Sequence, residues 1–158
     1  MMSLVQSLQE GYVKKVPLDK IRAKSLLKSS EDALLAVKEI SLKEHNYASI
    51  LRELYESLHQ YCEAIGYLKG YKFASHEVIT SFLADILKEN DLALHFDRYR
   101  KLRNGINYYG KSISKETVEK AQMEIPSFIQ KLSKHVPNDN PEQKAVPDKT
   151  KETAQKKV

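Results

Sequence analysis

The chain has 158 residues, 41% hydrophobic and 30% charged, with a formal net charge of +5. That length fits one domain with a sizeable core, and no run of about 18 apolar residues predicts a membrane helix. The opening MMSLVQSLQEGYVKK has no signal-peptide apolar stretch. Cys62 is the only cysteine, which excludes an internal disulfide and a cysteine-based zinc site and makes a reducing cytoplasm the expected compartment. The charge excess is compatible with a nucleic-acid partner without requiring one.

Five Gly and five Pro among many Leu, Lys, Glu and Ala favour long helices. The spacing predicts an all-α fold, an up-and-down bundle of four to five helices over residues 1–136. A first helix is expected from about Leu18 to Ile40, with Pro17 and Asp19 suiting its first turn. Ala23, Leu27, Ser30, Leu34 and Val37 form its stripe, widened by Leu26, Ala33 and Ile40. After SLKEH, Asn46 is placed to cap a second helix. Tyr47, Leu51, Leu54, Leu58, Tyr61, Ile65 and Leu68 alternate by four and three along it, and Gly70 supplies a left-handed stop.

GYKFA reads as a link, and Ser75 as the cap of a shorter helix carrying Val78, Phe82, Leu83, Ile86 and Leu87. Asp91 is placed to cap a fourth helix through Leu92, Phe96, Tyr99, Leu102, Ile106 and Tyr109, ended by Gly110. Ser114 caps a fifth, with Ile113 and Val118 spaced as a hydrophobic staple. Val118, Ala121, Ile125, Phe128, Leu132 and Val136 form its buried stripe, and Pro126 is expected to kink it. No strand pattern competes. Residues 137–158 hold three prolines and no aromatic residue, the composition of a disordered tail.

Most searches for chemistry fail. No glycine loop has phosphate-binding spacing. Glu56 and His59 make one Glu-x-x-His pair, but a di-iron bundle needs two, and His59 with Cys62 does not close a zinc site. Neither a metal nor a cofactor is expected. His45, His76, His95 and His135 are scattered, with His76 expected exposed in the first turn of its helix.

The stretch FDRYRKLRNGINYYGK departs from an ordinary amphipathic helix. Arg98, Arg100, Lys101, Arg103 and Lys111 form a basic cluster with no acid inside it. An exposed helix face is one reading, and a phosphate-binding surface is the other. Arg103 projects only about 55° from the centre of the apolar stripe, so it needs a partner. Arg100 and Asn107 share its side, and Asn104 adjoins it. A carboxylate on another helix would be an internal partner.

The order of these helices, the opening SHEVITSFL of the third and the late LRNGINYYG resemble the HEPN domain family over roughly Leu18 to Val136. The resemblance implies a helical bundle, commonly a two-fold homodimer. In its ribonucleases an Arg and a polar residue are followed by a His. Arg103 and Asn104 match the first two, and Tyr108 stands at the His position. Tyrosine is a poor base at neutral pH, and no other His is nearby in sequence. The resemblance therefore implies a module that binds RNA or a nucleotide, or partners a nucleotidyltransferase, with weak or absent nuclease activity. A metal-independent ribonuclease of toxin type, using Arg103, Asn104 and Tyr108 at a composite dimer site, is the alternative. A purely structural bundle is the third reading. Arg98, Arg100, Lys101, Arg103, Asn107 and Lys111 are the expected nucleic-acid contacts. Tyr109 is a candidate for modification by the partner enzyme.

Overall fold

The protein, seen in a computed structural model that describes residues 2–138, is built from six α-helices and one two-stranded sheet. The helices are α1 (Leu4–Gln9), α2 (Lys20–Lys38), α3 (Tyr47–Lys69), α4 (Glu77–Asp85), α5 (Asn90–Tyr109) and α6 (Lys115–Leu132). The expected tail lies outside the described residues, apart from Pro137 and Asn138. Among the described residues no helix is long and apolar enough to cross a membrane.

Helix α3 is the central element. Ile50, Leu51, Leu54, Tyr55, Leu58, Cys62 and Ile65 are all buried along it, against α2, α5 and α6. Most of its predicted seam is therefore core, with Tyr47, Tyr61 and Leu68 half-buried at the margin. Small residues let α2 approach closely: Ala23 and Ser30 on α2 are buried, as are Ser57 and Ala64 on α3. The Ser30 hydroxyl donates to the Ser57 carbonyl at 2.6 Å, which satisfies a buried polar group. On α6 the predicted Val118, Ala121, Ile125, Phe128 and Leu132 are all buried. Pro126 sits inside α6, which runs unbroken through it.

Termini follow the sequence in part. Asp19 accepts from the Arg22 backbone N–H at 2.9 Å and Ser114 from Thr117 at 3.2 Å, as N-caps do. Gly70 and Gly110 take the left-handed conformation at φ 84° and 61°. Three expected caps are corrected. Asn46 turns its side-chain oxygen back to the Lys43 N–H rather than into α3. Glu89 precedes α5 in place of Asp91, and His76 precedes α4 in place of Ser75.

The expectation of helices alone is also corrected. Val13–Lys15 (β1) pairs antiparallel with Tyr71–Phe73 (β2), with Val13 opposite Phe73 and Lys15 opposite Tyr71. Both strands are three residues long, too short to show an alternating pattern. The Leu4 N–H, in the first turn of α1, bonds to Asp85 at 3.1 Å, so the N-terminal segment packs on the end of α4.

The sheet lies on α3 at Gly66. A Cβ there would stand 2.7 Å from the Phe73 ring and 3.2 Å from the Tyr71 carbonyl oxygen. Helix propensity alone favours Ala over Gly by up to about 1 kcal/mol, but overpacking of this kind costs about 1–3 kcal/mol. Gly66→Ala is therefore expected to destabilise the fold by about 1–2 kcal/mol, read as a lower urea midpoint with unchanged slope. A rise in the midpoint would show that β2 yields easily.

Candidate functional site

The polar residues of interest meet along the seam between α3 and α5, at the start of α4. On α3, Arg52, Tyr55, Glu56, His59 and Glu63 recur at helical spacing and share one side. On α5, Arg100, Arg103 and Asn107 form the corresponding stripe. His76 reaches the seam from the N-terminus of α4.

Tyr55 is fully buried and sits at the middle. Its hydroxyl is 2.8 Å from Nδ1 of His76. The Arg103 guanidinium lies over its ring, 5.6 Å from the centroid. Phe96 packs on it from α5 at 5.6 Å between centroids. His59 and His76 stack face to face, with ring centroids 3.8 Å apart and planes 11° from parallel. His76 was expected to be exposed; it is half-buried instead, because its ring lies on His59 and its Nδ1 engages Tyr55. That engagement also explains why no side chain caps α4: His76 occupies the N-cap with its nitrogen turned away.

The two imidazoles are driven apart in charge. Burial alone would push His59 down, since it is 7% exposed. Glu63 at 2.9 Å from Nε2 and Glu56 at 3.5 Å from Nδ1 more than offset this and raise it to about 9. His76 is lowered to about 4, by burial first, then by the charges of His59 and Arg103. Tyr55 is pushed up, chiefly by burial, and remains a phenol at neutral pH. The parallel stack does not aim the two rings at a common point. Among the described residues no group of His, Cys, Asp and Glu is arranged to hold a metal ion.

The basic cluster divides. Arg98 pairs with Glu124 at 2.9 Å, and Asp97 takes both Arg100 at 2.7 Å and Lys101 at 2.9 Å. Burial alone would raise Asp97, but Lys101 and Arg100 hold it below the usual carboxylate range. Arg98, Lys101 and Lys111 line a shallow depression of about 320 Å³ with Gly105. On the helical wheel Arg98 and Lys101 lie about 140° and 160° around from Arg103. Arg103 itself has no carboxylate within ion-pair distance among the described residues. Among the described residues, the one hydrogen bond of its side chain goes to the Asn104 side-chain oxygen at 3.1 Å. The internal ion pair that its position allowed is not formed among the described residues.

Asn107 is exposed and 3.4 Å from Arg52, a cation the sequence reading did not single out. Tyr108 and Tyr109 are 71% and 78% exposed. Helix α5 does not unwind at Gly105; it runs to Tyr109, and Gly110 and Lys111 donate to the Ile106 and Gly105 carbonyls in closing it. Tyr108 therefore stays about 140° around from Arg103, and one protomer does not bring them together.

Sequence reasoning missed Tyr55, His59 and His76 as neighbours of Arg103. The polar stripe on α3 was a signal for His59, but which face of α5 it would meet was not in the sequence. No protein-family model matches the chain, and no curated protein or solved structure is detectably similar to it.

The opposed shifts give a sign-definite test. With an unfolded His near 6.5, His59 contributes stability that is complete below that pH and lost as pH rises through about 9. His76 contributes stability present above 6.5 and lost as pH falls through about 4. Imidazole NMR should find the two rings titrating near these values, and His59→Gln should move His76 up toward 6.5. Two rings both titrating near the unfolded value would contradict the charged stack.

Proposed function

We propose that the chain is a HEPN-like module that binds RNA or a nucleotide through a phosphate site centred on Arg103. The observation that carries this reading is that Arg103 is half-buried at the α3–α5 seam without a carboxylate partner among the described residues. Desolvating a guanidinium is costly unless an anion compensates. A phosphate taken bidentately would supply that anion and the two acceptors the fork requires. Tyr55 lies beneath the guanidinium, its ring centroid 5.6 Å from the guanidinium carbon. Arg52 and Asn107 extend the polar surface along the seam, while Arg98 is paired with Glu124, and Arg100 and Lys101 share the carboxylate of Asp97.

A two-fold homodimer belongs to the same reading. Leu94, Lys101 and Tyr108 recur every seven residues on the outer side of α5, and Leu94 and Tyr108 are both 71% exposed. A second copy covering that stripe would bury apolar surface that a lone protomer leaves in water. A nucleotidyltransferase partner would find Tyr109 beside it.

Fluorescence anisotropy with a labelled single-stranded oligoribonucleotide tests the site. A charge-assisted bond of about 1.5–3 kcal/mol corresponds to a loss of about 10-fold or more on Arg103→Ala. Affinity should fall with salt, with a shallower slope in the variant. Lys101→Ala, removing a cation already paired, should change affinity by only a few-fold. Equal binding by wild type and Arg103→Ala would overturn the assignment.

A further inference from the structure

The end of the bundle where α2 begins and α3 stops carries charge and apolar surface that the seam does not use. Residues 14–24, KKVPLDKIRAK, hold four Lys and one Arg against a single acid, Asp19. The fold turns that acid to the backbone, where its carboxylate accepts from the Arg22 N–H at 2.9 Å. Arg22 lies over the Tyr67 ring, 5.1 Å from its centroid. Lys72 joins the surface from β2, directly opposite Lys14 in the sheet, and Lys69 joins it from the last turn of α3. Lys14, Lys15, Lys20, Lys24, Lys69 and Lys72 are all exposed, and among the described residues none has a carboxylate within ion-pair distance. Like charges directly opposite across a ladder destabilise it. An anion over the Lys14–Lys72 pair would offset that repulsion.

Leu18 and Ile21 stand among these lysines, 64% and 83% exposed. The connection that carries Leu18 is fixed to the end of α3: the Val16 N–H donates to the Gly70 carbonyl at 2.9 Å and the Asp19 N–H to the Tyr67 carbonyl at 3.2 Å. Ile21 follows in the first turn of α2, at an apolar groove of about 490 Å³ lined by Ala23, Leu27, Leu68 and Val136 together with Lys20 and Lys24.

We propose that this end of the bundle docks on a membrane that carries anionic lipids, with the lysines on the headgroups and Leu18 and Ile21 entering the interface between them. Charge complementarity and the apolar wedge both point to that partner. RNA would answer the lysines but leave Leu18, Ile21 and the groove in water, and residues 14–24 hold no aromatic ring on which a base could stack. The contact is peripheral, since no described helix can cross a membrane. Leu68 lies roughly 20 Å along α3 from Tyr55, so the surface is separate from the phosphate site and stands or falls without it.

Flotation of the full chain with vesicles tests the surface, using phosphatidylcholine alone or equal parts phosphatidylcholine and phosphatidylserine. Binding is expected to the mixed vesicles only, and should weaken as salt rises. A lysine near an anionic surface strengthens binding about five-fold, so Lys14→Ala with Lys72→Ala should lose about 25-fold. Ile21→Ser should lose about 10-fold or more while keeping its helical circular dichroism. Lys115→Ala, which removes a cation at the opposite end of α6 from Val136, should bind like wild type. Equal binding to both vesicles, or to neither, would overturn the inference and leave the phosphate site standing. Wild-type affinity of Ile21→Ser for the mixed vesicles would remove the apolar wedge and overturn it too. Loss of oligoribonucleotide rather than vesicle binding in the Lys14→Ala, Lys72→Ala variant would make the patch a nucleic-acid surface and overturn the lipid assignment.

Discussion

His59 is almost wholly buried yet held cationic, because Glu63 meets its Nε2 and Glu56 lies beside its Nδ1. A buried charge restricts everything packed against it. His76, stacked on its face, is kept neutral and directs Nδ1 to Tyr55 rather than into the helix it opens. Tyr55 in turn stays a phenol and offers its ring to Arg103. One carboxylate-bound imidazolium thereby orders three further side chains, one each from α4, α3 and α5, and the cation that emerges at the end of that series, Arg103, has no carboxylate within ion-pair distance among the described residues.

The same principle sorts the basic residues of α5. By sequence Arg98, Arg100, Lys101 and Lys111 read as one basic cluster, with Arg103 set apart only by its place at the edge of the apolar stripe. In the fold, Asp97 at the head of the stretch and Glu124 on α6 take three of them. A charge already compensated by a carboxylate has less to gain from a phosphate than one that is not. Pairing thus supports the seam, rather than the outer face of α5, as the place of the proposed phosphate site.

The bundle was legible in the sequence because burial on α3 and α6 follows the helical period: Leu51, Leu54, Leu58 and Ile65, or Val118 through Leu132, repeat at spacings only a helix places on one side. The short sheet was not, since three-residue strands pair across a long separation and their register is set by packing on Gly66. Arg103 stood out because a guanidinium at the edge of an apolar stripe needs an explanation. Tyr55 did not, because it lies just off the Leu51–Leu54–Leu58 seam and reads as core. His76 reads as a helix-start residue; only the approach of α4 to α3 lays its ring on His59, and no spacing rule encodes an interhelical stack.

The central claim is that Arg103, lying over Tyr55 at the α3–α5 seam, is the centre of a phosphate site. Side-chain NMR tests it most directly, by following arginine Nε–H and imidazole signals of the full chain during titration with a short single-stranded oligoribonucleotide. Arg103 and His76 are expected to shift together along one binding curve, with Arg98 nearly still. Movement of Arg98 while Arg103 and His76 stay fixed would place the ligand on the outer face of α5 and contradict the account.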